Sequence, residues 1–245
     1  LIRVTQNSMK KWFVSQMPEV EAAYVSLNAQ SGAYRALVGG FDFRRNNFNH
    51  ATSAWRQPGS SIKPFVYAAA LERGFAPATI INDVQLSATT TESLKWDPRN
   101  DDGKYDGRIR MQDALAQPKN VVSVRILQAI GVPYALEYLA HFGFDTNKHP
   151  ANLTLALGTG SVTPVQLASA YGVFANGGYL VSPWLVQRIS DGRGSVLFES
   201  DRTATPAEDA RAIDARNAFV TDSMLREVTR TGTAASASQR LGRDD

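Results

Sequence analysis

The chain has 245 residues, 43% of them hydrophobic, enough for one sizeable core, and 26 Lys+Arg against 23 Asp+Glu leave a formal charge of only +3. No run of like charge stands out, so neither nucleic acid nor a membrane surface is an expected partner. There is no cysteine, which excludes disulfides, thiol nucleophiles and cysteine-held zinc, and which suits the cytoplasm and a bacterial periplasm equally. No apolar run is long enough to span a bilayer and no signal peptide is evident. The chain begins Leu1-Ile2-Arg3 and stops at Arg243-Asp244-Asp245, and both ends read as cuts within a longer protein.

Residues 1–17 carry apolar side chains without clear alternation and read as a helix or a connecting segment. Residues 21–28 and 33–39 are short β-rich runs around Ala29-Gln30-Ser31-Gly32, the pattern of a hairpin. Residues 41–59 have no period and read as a loop. Over 61–73 the apolar side chains Ile62, Phe65, Val66, Ala69 and Ala70 share one helix face, closed by Gly74. Residues 75–110 read as irregular, with a short strand near 84–88. Helices follow over 111–117, 120–130 and 133–142. Thr163-Pro164 is an N-cap with proline at the first helical position, and that helix runs to Ala175. Two β runs at 179–189 and 195–199 and a helix over about 207–229 complete the order. Hairpin, helices, hairpin, helix is not strict βαβ alternation, so an α+β arrangement is expected, helices set against antiparallel strands.

Chemistry has few candidates. His50, His141 and His149 are the only histidines, two in loops and one in a helical run, and each reads as a surface or satisfied side chain. No metal-ligand spacing occurs, and no metal or cofactor is expected. Gly158-Thr159-Gly160 lacks the third glycine and the lysine of a phosphate loop. That leaves Ser60 and Lys63 in the stretch RQPGSSIKPFVY, residues 56–67. Three residues apart at a helix start, the two lie on one face. A serine needs a base, and a lysine becomes one when burial disfavours its charged form. The helix N-terminus favours a developing alkoxide, and Gly59 allows a sharp bend before the serine. The bare pattern is short and arises by chance, and Ser60 or Ser61 read alone is an N-cap. Pro64 also disfavours the α region for Lys63, unless it falls in the first turn.

The same stretch resembles the first active-site motif of class A penicillin-binding proteins, bifunctional synthases that join a glycosyltransferase to a transpeptidase. Val38 to Phe43 with Phe48-Asn49, Gly158 to Pro164 with Gln166-Leu167-Ala168, and Phe174 to Gly178 resemble further segments of that transpeptidase. The resemblance implies a penicillin-binding transpeptidase fold, similar to serine β-lactamases, over residues 21–245, with 1–20 connecting it to a preceding region. It implies Ser60 as the acylated nucleophile and Lys63 as its base, within Ser-x-x-Lys, Ser-x-Asn and Lys-Thr-Gly motifs. The second motif falls at Pro118-Lys119-Asn120: Asn120 keeps the amide, but proline replaces the serine that normally relays a proton. Read alone, Asn120 is equally an N-cap. Gly59, Ser61, Pro118 and Lys119 are expected beside the substrate. Arg230-Thr231-Gly232-Thr233 imitates the third motif but follows a helix, so the chain is expected to stop just before the true one and to be weak or inactive alone, its last sheet strands missing.

By resemblance the reaction is serine acyl transfer from D-Ala-D-Ala stem peptides to a neighbouring amine, with β-lactams as mimics. The implied setting is the periplasmic face of a bacterial inner membrane, with other cell-wall synthesis proteins as possible partners. A D,D-carboxypeptidase or β-lactamase-type hydrolase, and a non-catalytic penicillin-recognising domain, stay open as alternatives.

Overall fold

The computed structural model describes residues 2–86, 96–200, 206 and 208–242. Chain order begins with β1 (Arg3–Gln6) and β2 (Trp12–Ser15), then β3 (Tyr24–Leu27), β4 (Tyr34–Val38), α1 (His50–Ser53) and α2 (Lys63–Glu72). Next come β5 (Ile80–Asp83), β6 (Gly107–Arg110), α3 (Met111–Ala116), α4 (Asn120–Ile130), α5 (Val132–Ala140) and α6 (Pro164–Ala175). The order ends with β7 (Arg188–Ser190), β8 (Val196–Glu199), α7 (Ala215–Arg230) and α8 (Ala235–Leu241). Among the described residues the strands form four antiparallel pairs, each with its sequence neighbour. Helices packed beside separate antiparallel ribbons are the α+β arrangement expected above.

α2 lies at the centre. It was expected to bury one face, yet Lys63 through Ala70 are all buried. Its three successive alanines let neighbours approach from every side. Phe65 is the aromatic hub, with ring centroids 4.9 Å from Phe142 and Phe144, 5.1 Å from Tyr171 and 5.2 Å from Phe174. Val121, Val122 and Ile126 of α4, Val173 of α6 and Met224 of α7 complete the surrounding core.

Several boundaries differ from the sequence reading. Residues 3–15 are a hairpin, turned by Asn7, whose side chain accepts from the Met9 and Lys11 amides at 3.0 and 2.9 Å. Within 41–59, Asn49 caps the short α1 by accepting from the Ala51 amide. The strand expected near 84–88 is β5 at 80–83, paired with β6; residues 87 and 88 lie outside the described residues. Of the run 179–189 only 188 and 189 are strand, within β7, because Trp184 instead joins the chain at Gly32 and Tyr34 through single backbone bonds. The helix expected over about 207–229 is α7, which starts at Ala215, where the Asp214 side chain accepts from the Arg216 amide at 2.8 Å, and the short α8 follows it; residue 207 lies outside the described residues. The hairpin at β3 and β4, the stop at Gly131 and the Thr163 cap on Gln166 stand where the sequence puts them.

Candidate functional site

Ser60 lies in a single 3-10 turn, Gly59–Ile62, that runs directly into α2. Neither Ser60 nor Ser61 caps the helix through its side chain; the N-cap position is Ile62, with no side-chain bond. This corrects the capping alternative. The Ser60 carbonyl accepts from the Lys63 amide, which fixes the one-turn offset between the two residues. Lys63 is α-helical, φ −55° and ψ −44°, although proline follows it. Pro64 falls in the first turn, where its missing N–H breaks no helical bond, and the buried surroundings hold the otherwise disfavoured pairing.

Gly59 supplies the bend with φ +56°. The bend is clamped from outside by the 158–162 segment. The Gly59 amide donates to the Gly158 carbonyl at 3.3 Å, and Arg56 and Val162 exchange backbone bonds of 2.9 and 3.0 Å. A Cβ on Gly158 would stand 2.1 Å from the Gly59 carbonyl oxygen. The Gly-x-Gly that suits no nucleotide is therefore the surface on which the serine turn rests. From the far side, the Tyr171 hydroxyl donates to the Ser61 carbonyl at 2.9 Å.

Lys63 has no exposed surface, and burial pulls its amine down to about 8, with the nearby Asp101 charge partly opposing. At that value roughly a tenth of the lysine is neutral near pH 7, about 300-fold more than for an ordinary lysine. Its Nζ donates to Asn120 Oδ1 at 2.7 Å. Asn120 is the first residue of α4, and its side chain caps nothing; its Nδ2 donates to the Arg99 carbonyl at 2.8 Å and to Asp101 Oδ1 at 3.0 Å.

Ser60 opens on a cleft of about 590 Å³ whose walls include Asp101, Pro118, Lys119 and the Thr231–Thr233 turn. Pro118 thus stands in the cleft and offers no hydroxyl. Lys119 reaches the cleft wall, but its ammonium turns inward, 3.0 Å from Asp102, 2.8 Å from Asp106 and 3.8 Å from the fully buried Asp83. Burial alone would depress it, but the hydrogen bonds to Asp106 and Asp102 outweigh this and raise it, so it stays charged. Its ammonium braces the three carboxylates behind the cleft wall. Gly59 and Ser61 do not line this cleft; they shape the turn that presents Ser60.

Asp101 and the Arg99 carbonyl escaped the sequence reading, and the Thr231–Thr233 turn, set aside there as an imitation of the third motif, lines the cleft. The turn follows α7, not a strand, and the Thr233 amide donates to the Ala116 carbonyl at 3.2 Å. Only the threonine-glycine spelling pointed at it. Among the described residues no cluster suited to a metal occurs.

Residues 22–243 match the family model described as the penicillin binding protein transpeptidase domain. The whole chain is 46% identical to penicillin-binding protein 1A of Neisseria lactamica and spans 31% of that protein's length. Penicillin-binding protein 1A of Escherichia coli is 48% identical over 77% of the chain, which corresponds to 22% of that protein. The crystal structure of penicillin-binding protein 1A from Haemophilus influenzae superposes with a TM-score of 0.91 at 33% identity, covering all of this chain and 41% of that one.

Proposed function

Because the chain belongs to the penicillin binding protein transpeptidase domain family, we propose that it crosslinks peptidoglycan by acyl transfer through Ser60, with Lys63 as the base. One observation carries the reading: a fully buried lysine, lowered to about 8, one turn from a serine that opens on a cleft. Lys63 takes the hydroxyl proton as Ser60 Oγ attacks the carbonyl of the penultimate D-alanine. The amide to the terminal D-alanine breaks, the proton goes to that leaving amine, and the stem peptide stays on Ser60 as an ester. An amine from a neighbouring stem then takes the acyl group and frees the serine. A β-lactam follows the first half and leaves a stable acyl-serine. Backbone N–H groups of the serine turn are suited to hold the developing oxyanion.

Pro118 removes one relay for the leaving-group proton, so Lys63 itself, or water in the cleft, returns it. We assign residues 21–245 to the transferase domain and 1–20 to a connection, with the hairpin of β1 and β2 inside that connection. Among the described residues no helix is long and apolar enough to cross a membrane. The proposed setting is the periplasmic face of a bacterial inner membrane, with stem peptides as substrates and other cell-wall synthesis proteins as partners.

A fluorescent penicillin tests the chemistry. The expected adduct is on Ser60 by mass spectrometry and is lost in Ser60→Ala. No adduct on the full-length protein, or one on another residue, defeats the reading. Products formed with and without an added amine acceptor separate a transferase from a hydrolase.

A further inference from the structure

We propose that Asp101 is a positioning residue for Lys63 and acts through the Asn120 amide. The inference rests on the reading of Ser60 and Lys63 as nucleophile and base. Among the described residues, the side-chain hydrogen bond of Lys63 Nζ goes to Asn120 Oδ1, at 2.7 Å. Everything that orients this amide therefore orients the lysine.

A primary amide is nearly symmetric in shape but not in chemistry, since one end donates twice and the other only accepts. Here the donating end faces two acceptors, the Arg99 carbonyl at 2.8 Å and Asp101 Oδ1 at 3.0 Å. Flipping the amide would set its oxygen against a carbonyl and a carboxylate, and would turn N–H groups onto an amine. Asp101 carries a full charge, so it contributes the stronger of the two contacts. With Oδ1 locked on Lys63, the neutral amine donates one hydrogen to it and keeps its lone pair for the Ser60 proton.

The carboxylate can do this because its neighbours are anchored. Asn100 is buried; its Nδ2 donates to both Asp83 oxygens at 2.8 and 3.0 Å, and its Oδ1 accepts from the Val121 amide at 3.2 Å. On the other side Asp102 is held by the buried Lys119. Asp101 thus sits between two fixed points on a loop that α4 itself clamps. Its charge also acts on Lys63 directly, against the pull of burial. Other titratable groups on neighbouring elements are already committed. Tyr67, one turn along α2, is fully buried and bonded to Ser123, and its hydroxyl is pushed well above its ordinary value by burial, so it stays neutral. Lys119 faces Asp83, Asp102 and Asp106 within the brace.

Two substitutions separate orientation from charge. Asp101→Ala removes an acceptor, and the rate of penicillin acylation is expected to fall about 10- to 100-fold. Asp101→Asn keeps an acceptor oxygen without the charge. It is expected to recover most of that loss while moving the acidic limb of the pH–rate profile below that of the parent. An Asp101→Ala protein that acylates within about twofold of the parent overturns the proposal. An independent readout is the titration of Lys63 followed by NMR of labelled lysine nitrogen. The midpoint should drop in Asp101→Asn, and an unchanged midpoint counts against the proposal even if the Asp101→Ala rate falls. If the parent forms no Ser60 adduct, the assigned chemistry fails, and the lysine titration still decides whether Asp101 acts on Lys63.

Discussion

At the scale of single residues, the site turns on how one amine is kept partly neutral. Burial disfavours the Lys63 ammonium and brings it to about 8, while Asp101 limits the fall. In the proposed mechanism the active form is the neutral amine, so acylation should lose rate as pH falls through about 8 and level off above it. Stopped-flow penicillin binding between pH 6 and pH 10 checks this, and a profile flat down to pH 6 would remove Lys63 from the role of base. The same lowered value gives a stability signature. Between about 8 and the ordinary lysine range near 10.5, the unfolded chain binds the proton that the folded one has lost. Stability should therefore rise with pH in that window, an effect absent in Lys63→Met. Pro118 is the second residue-scale question. If a hydroxyl there still serves, Pro118→Ser should speed acylation by about tenfold. Equal rates would mean that Lys63 and water already carry the proton.

At the scale of elements, the serine turn depends on a neighbour more than on its own propensity. Gly59 needs its positive φ, and Gly158 needs to have no side chain, because a Cβ there meets the Gly59 carbonyl at 2.1 Å. Backbone cannot yield as a flexible side chain would, so one of the two segments must shift. Gly158→Ala is expected to lose about 1–3 kcal/mol of stability and to displace Ser60, cutting acylation more than tenfold. Gly172, in the middle of α6, is the control: it has ordinary helical φ and open space around an added Cβ. Gly172→Ala should be neutral or stabilising by up to about 1 kcal/mol. Urea unfolding of both variants tests the contrast, and equal losses would show that Gly158 is not a special contact.

At the scale of the whole molecule, legibility in the sequence followed the range of the interactions. The Thr163 cap, the stop at Gly131 and the β3–β4 hairpin were readable because each is decided within a few residues. The first hairpin was not, because Trp12, Phe13 and Val14 are 66%, 50% and 73% exposed, and strands without a buried face leave no alternating pattern. Ser60, Lys63 and Asn120 were legible as motif letters, while Asp101 and the Thr231–Thr233 turn reach the cleft only through folding and left no local period. The same holds for the bond that ties the far end of the chain to the centre. Asn217, near the start of α7, is buried and donates to the Ala68 carbonyl at 2.9 Å, to Glu72 at 2.7 Å and to the Tyr138 hydroxyl at 3.1 Å. α7 then runs from this junction with α2 to the cleft wall at Thr231. Asn217→Ala leaves a buried carbonyl and a buried tyrosine hydroxyl each short of a partner, and should lower stability by about 1–3 kcal/mol. Because the same helix holds the cleft wall, the variant should also acylate more slowly at a temperature where it remains folded. A stability loss without slower acylation would make Asn217 a core contact alone and would uncouple α7 from the cleft.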